Sequence, residues 1–253
     1  MEEEFHNHMR IPWHDYTRKS LGHPITEASL SEKASIIGRT GIMLLSCGTG
    51  AWRVRSSMNT LARELGITCT ADIGLLSIEY TCIAGGDCYT ESLCLFNTGV
   101  NTSKLYRMEL FVNKFATNCK KMSGDELHTL LDQIHEIHGF YSPPFLGLAA
   151  AVACCAFTFL LGGGPIEMFC AFLGAGAGNY LRAKMNQHHL TLFLCTAASV
   201  ALACVVYTIS FMALKSGFDV SIHHQAGYIC SMLFIIPGFP FITSGIDLAK
   251  LDM

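Results

Sequence analysis

The chain has 253 residues, 51% of them hydrophobic, with a mean hydropathy of +0.36 and a net charge of −3. Such apolarity is high for a soluble protein, and so small a charge gives nucleic acid no basic surface, so no nucleic-acid partner is expected. The few charges are unevenly placed. Residues 141–253 carry only Arg182, Lys184, Lys215 and Lys250 against Glu167, Asp219, Asp247 and Asp252, so the whole imbalance lies in residues 1–140. The chain therefore has two regions suited to different solvents.

Residues 1–28 mix His, Pro and charges without periodicity and read as a flexible tail, with neither the basic start nor the apolar core of a signal peptide. Residues 31–65 read as helix, punctuated at Cys47-Gly48-Thr49-Gly50, with Val54, Met58, Leu61 and Leu65 at helical spacing and Gly66 as terminator. Strand-like runs come next at 67–71, 74–84 and 91–98, with Gly85-Gly86-Asp87 turning between the last two. Helices are predicted over 103–122 and 123–138, the second opened by Ser123 with Glu126 three residues on, a capping box. Residues 29–140 thus form an α+β domain, placed in the cytoplasm and joined by Tyr141-Ser142-Pro143-Pro144 to the apolar half of the chain.

Residues 141–253 read as an all-α polytopic membrane domain with four spans, about 145–164, 166–182, 190–214 and 226–248. The first run is charge-free as far as Gly162-Gly163-Gly164-Pro165. The third is 25 residues without a charge, against the roughly 20 that cross a bilayer core. The competing reading is a pair of buried helical hairpins in a soluble protein. The 182–189 loop (RAKMNQHH) and Lys250 put basic residues on the side of residues 1–140, as the positive-inside tendency requires.

The fourth run is broken by Pro237, Gly238 and Pro240, with Asp247 beyond the break. Proline removes a backbone donor, and in a membrane the freed carbonyls face a cavity or substrate. An ionisable residue beside such a break is a candidate functional group. Asp247 can take up a coupling proton or bind an ammonium or carboxylic acid; the alternative is a helix-end charge at the interface beside Lys250. Glu167 opens its helix, where a carboxylate suits the positive end of the dipole. Asn179 and Arg182 share one side of that helix and are placed to meet a substrate carboxylate, with interfacial anchoring the other reading of Arg182. Gly174 and Gly178 form a G-x-x-x-G face suited to close helix packing.

Of twelve cysteines, Cys154, Cys155, Cys170, Cys195, Cys204 and Cys230 lie in apolar spans, and the rest form no C-x-x-C pair. They read as reduced structural thiols, with neither metal nor cofactor expected. His128, His135 and His138 fall near one face of the 123–138 helix and read as a solvated face, with a metal site the weaker alternative. His188-His189 and His223-His224 sit at span ends, suited to sensing pH.

From about Ala34 onward the chain resembles the threonine/serine exporter (ThrE) family in its shorter YjjP-type form. The resemblance rests, in order, on GTGAWRVRSSMNTLARELG at 48–66, the sheet and NTG-VN turn at 97–101, GGGP at 162–165, and PGFP with Asp247 at 237–247. It implies a cytoplasmic N-terminal domain followed by five transmembrane helices of an inner-membrane, multi-pass secondary exporter. The implied substrates are threonine and serine in one branch and succinate in the other, with a small four-helix YjjB-type partner. Homo-oligomerisation is a further expectation. Arg55 stands where many relatives carry a carboxylate, and the fifth helix, expected beyond Met253, is absent from this sequence. The expected function is a proton-coupled exporter subunit. The alternatives are a membrane-tethered hydrolase, for which only Cys47, Ser56, Ser57 and distant histidines are available and no G-x-S-x-G elbow, or a purely structural subunit.

Overall fold

A computed structural model describes residues 11–17, 22–95, 98–137, 141–188, 190–215, 225–236 and 238–250. It divides into two compact units, one formed by residues 1–139 with 238–253 and the other by 140–237.

In the first unit, Leu30–Ser46 forms α1 and Ala51–Glu64 forms α2. Ser29 caps α1 by accepting from the Glu32 N–H. Gly48, with φ of +76°, turns the chain between the two helices in a conformation that suits glycine. Strands β1 (Thr68–Ile73), β2 (Ser77–Ala84) and β3 (Asp87–Cys94) make one antiparallel sheet in the order β1-β2-β3. Gly85 and Gly86, both at positive φ, supply the two-residue turn that aligns Ala84 with Asp87. The third strand therefore begins four residues earlier than the apolar pattern indicates, because its first residues are polar.

Ile78, Tyr80 and Cys82 alternate inward along β2 and meet α1, where Gly38 leaves room for the Tyr80 ring. Ile36, Ile37, Leu44, Met58, Leu61 and Leu93 complete this core, each fully buried and worth about 1.5–3 kcal/mol over exposure. Thr102–Asn113 forms α3 and ends in a π-helical turn, Phe115–Cys119, so the helix predicted over 103–122 is interrupted. Gly124–His135 forms α4, opened by the predicted Ser123–Glu126 capping box. Gly238–Ala249 forms α9, whose Phe239 packs against this same core.

The second unit is helical: α5 (Pro143–Leu160), α6 (Pro165–Gln187), α7 (Leu192–Lys215) and the short α8 (Gln225–Cys230). By length and composition α5 and α7 can each cross a membrane, with mean hydropathies of 1.9 and 2.2. Only 22% of each apolar stretch is buried within the protein, and Phe159 and Phe193 are 66% and 84% exposed. An apolar helix that its own protein leaves uncovered is suited to lipid. The 23-residue α6 carries Glu167, Arg182 and Lys184. The run predicted over 226–248 is broken, Ala226–Ile235 falling in the second unit and Gly238–Ala249 in the first; the pair counts as a third span only if read as one.

The G-A-G-A-G run lets α6 pack closely on two sides. A Cβ at Gly174 would lie 2.8 Å from the Ala203 carbonyl of α7, and one at Gly178 would lie 2.8 Å from the Ser199 carbonyl. Gly176, two residues from each, points the other way: its Cβ would meet Ala151 of α5 at 3.1 Å. Small residues that admit a neighbouring backbone are how helices associate where solvent gives no hydrophobic drive.

Candidate functional site

Helix α2 starts at Gly50, which has no side chain to satisfy the helix's first amides. Asp247, reaching from α9, supplies the missing acceptor. Its Oδ2 accepts from the Ala51 N–H at 2.9 Å and its Oδ1 from the Trp52 N–H at 3.2 Å. Glycine is required here because a Cβ on residue 50 would lie 2.6 Å from both carboxylate oxygens. The Lys250 ammonium, just past the end of α9, stands 3.3 Å from the centre of the Trp52 ring, a cation–π contact. A cavity of about 150 Å³ adjoins this contact, bounded by Thr49, Arg53, Phe239, Ile242 and Thr243. Gly238 and Pro240 form the start of α9, and Pro237 lies outside the described residues.

The other predicted residues are in the helical unit. Glu167 is buried and turns back to accept from the Gly164 N–H at 2.7 Å, which closes the first turn of α6. Asn179 donates to the Leu146 carbonyl of α5 at 2.8 Å. Twelve residues of helix separate the two by about 18 Å, so they do not form one site. Arg182, three residues beyond Asn179, donates from Nη1 to the Phe234 carbonyl at 3.2 Å in the broken segment. Its Nε is buried and has no hydrogen-bond partner among the described residues. Phe234 also fills the space over Gly178. A cation whose sequence context suits an interfacial anchor therefore meets an interrupted helix in this unit, with one donor unspent.

A second polar cluster, absent from the sequence expectations, lies in the first unit. His128 is fully buried rather than solvated, because Arg39 of α1 and Ser35 receive it. Ser35 Oγ donates to the Glu32 carbonyl at 2.8 Å, so it accepts from His128 Nε2, and His128 Nδ1 accepts from Arg39 at 3.2 Å. That order of protons is the reverse of a nucleophilic dyad, in which the imidazole must accept from the hydroxyl. Burial, reinforced by the Arg39 charge, pushes the His128 pKa down to about 3 and keeps it neutral. Arg39 also pairs with Asp132 and donates to the His128 carbonyl at 3.0 Å.

His14 bridges Asp125 at 2.6 Å and Asp132 at 2.8 Å; its pKa is raised chiefly by the hydrogen bond to Asp125, then by that to Asp132. This arrangement holds the Trp13–Thr17 turn against α4 and reads as structural. His135 lines a nearby cavity of about 540 Å³ with Arg39 and Trp13, while His138, His189, His223 and His224 lie outside the described residues.

Comparison with known proteins bears on what this geometry serves. A family model described as "Putative threonine/serine exporter" matches residues 35–253. A protein of Escherichia coli (strain K12), "Probable succinate transporter subunit YjjP", is 25% identical over 213 residues, covering 83% of this chain and 79% of that protein. No solved structure matches. The match runs from α1 through both units, over the apolar helices as well as the sheet, so this is a membrane transport protein for small metabolites: the chain belongs to the threonine/serine exporter family and is of its YjjP type.

Proposed function

We propose that the chain is one subunit of a proton-coupled exporter of small carboxylates, succinate foremost, in the inner membrane. The observation that carries the reading is Arg182, whose buried Nε–H lacks a partner among the described residues, beside an interrupted apolar segment. A carboxylate accepts from a guanidinium through two parallel bonds, and the Phe234 carbonyl engages only one edge of Arg182. Asn179, one turn earlier on α6, holds the same stretch against α5 through its bond to the Leu146 carbonyl. The relative's name supports succinate and supports subunit status, for which a small YjjB-type membrane protein is the partner. In this reading residues 29–140 are cytoplasmic and four segments of 141–253 span the bilayer multi-pass. Asp247, with Gly238 and Pro240 at the start of α9 and Pro237 before it, serves the proton, and Glu167 braces α6.

The test is efflux of labelled succinate, threonine and serine from cells lacking their own exporters and expressing this chain with a YjjB-type partner. Succinate outflow that collapses on adding a protonophore is expected. Arg182→Gln should lower it by about tenfold or more, the size of one lost charge-assisted hydrogen bond. Outflow of all three solutes unchanged by expression of the pair refutes transport. Succinate outflow unaltered in the Arg182 variant refutes the assigned site.

A further inference from the structure

Two buried cysteines in the sheet face each other directly. Cys69 of β1 is paired with Cys82 of β2, and both side chains point into the core, 7% and 0% exposed. The kind of pairing is set by the turn. The Gly74 N–H donates to the Ser77 carbonyl at 2.8 Å, which makes Gly74 and Ser77 a hydrogen-bonded pair. Such pairs alternate with non-hydrogen-bonded ones along an antiparallel ladder, and Cys69–Cys82 lies five steps away, so it is of the second kind. There the Cα atoms are about 4.5 Å apart and the side chains closest, inside the roughly 4.4–6.8 Å that a disulfide spans. Both are free thiols in this structure.

We propose that Cys69 and Cys82 form a reversible cross-strand disulfide when the protein meets a hydroperoxide. Cys69 is the attacking group. It is the more accessible of the two, and the Cys82 S–H donates to its sulfur, which holds the Cys69 thiol below its ordinary pKa. The same bond, with burial, raises Cys82. The Cys69 thiolate attacks a peroxide oxygen, the O–O bond breaks, and hydroxide leaves as water after taking a proton. Cys69 is then a sulfenic acid. The Cys82 sulfur attacks it, the S–O bond breaks and a second water leaves. Two thiols lose two electrons and hydrogen peroxide gains them. The bond joins β1 to β2 beneath α2, a modification independent of the transport reading.

Cys88 and Cys94 are exposed on β3 and would react first. The experiment therefore uses the full chain in detergent with Cys88→Ser and Cys94→Ser. The protein is titrated with hydrogen peroxide, remaining thiols are alkylated, and the chain is cleaved after glutamate. Cleavage after Glu64, Glu79 and Glu91 separates Cys69 from Cys82 in peptides 65–79 and 80–91. The expected result is one linked pair of these peptides, lighter by two hydrogens, reversed by dithiothreitol and lost to background in Cys69→Ser. In Cys82→Ser the linked pair is lost and dimedone labels Cys69 instead. Oxidation of Cys69 to sulfinic acid without linkage, or linkage of either cysteine to any other, overturns the proposal. So does full alkylation of both at peroxide levels that oxidise exposed methionines.

Discussion

Removing the Asp247 carboxylate should loosen the first turn of α2 and leave the sheet intact. The side chain accepts from the Ala51 and Trp52 amides across 196 and 195 residues of sequence, in place of the cap that Gly50 cannot provide. A side-chain cap is worth about 0.5–2 kcal/mol and a carboxylate at a helix N-terminus about 0.3–1 kcal/mol more. Asp247→Ala should therefore cost about 2 kcal/mol locally, roughly a 30-fold loss of amide protection at residues 51–53 if that opening governs exchange. Asp247→Asn keeps one oxygen acceptor but loses the charge, so its loss should be about three- to tenfold. Gly50→Ala should match the alanine variant, since its Cβ would displace both oxygens from 2.6 Å. Hydrogen exchange on the full chain in detergent reads this directly, with β2 as the internal reference. Unchanged protection of residues 51–53 in Asp247→Ala, with β2 also unchanged, refutes the capping argument.

Four other outcomes bear on stability. His128 is neutral in the fold with its pKa near 3, while the unfolded chain takes up a proton below about 6.5, so stability should fall as pH drops below that value. Between pH 6.5 and 5 the loss is about 2 kcal/mol, read as a lower unfolding temperature, and His128→Gln should flatten that slope; an equal slope contradicts the assignment. His14 acts in the opposite sense: its raised pKa contributes below about 6.5 and is lost as pH rises through the folded value, and its exposure keeps the effect small. In α6, Gly174→Ala should destabilise the helical unit by about 1–3 kcal/mol, because its Cβ meets a backbone carbonyl that cannot swing aside. An unchanged melting temperature in detergent would count against the tight α6–α7 contact. Arg39→Lys should cost about 2 kcal/mol in denaturant unfolding, since lysine cannot serve the His128 ring, its carbonyl and Asp132 together; wild-type stability would contradict the network.

Local chemistry was legible in the sequence wherever a signal and its partner lie within a few residues. Ser123 and Glu126 are three apart, Gly85-Gly86 is its own turn, and the small residues of α6 are contiguous, so each announced its structure. His128 did not, because a histidine is counted polar until its partner is known, and Arg39 is 89 residues away. Asp247 was found as a charge beside a broken apolar run, but its acceptor role was not. The missing signal was available at the other end: a helix opened by Gly48-Thr49-Gly50, with no Ser, Asp or Asn at the cap, needs an acceptor from elsewhere. Cys69 and Cys82 escaped for a related reason, since their opposition depends on the register that the 74–77 turn imposes.

Satisfaction of polar groups also reorders the candidate residues. Asp247, Glu167 and Asn179 each have a backbone partner that accounts for their position, at 2.9, 2.7 and 2.8 Å respectively. A group already satisfied by the fold gives up that partner when it takes a ligand; one left with an unspent buried donor gains by it. Arg182 is in the second condition. Stability and transport should therefore separate between these residues. Asn179→Ala loses a helix–helix hydrogen bond and should lower the melting temperature, with efflux falling in proportion to folded protein. Arg182→Gln removes the orphaned donor and should leave the melting temperature unchanged or raised, while efflux per folded molecule falls by about tenfold. If the Arg182 variant instead loses stability and efflux together, the guanidinium is a structural tie to Phe234 and the carboxylate site lies elsewhere.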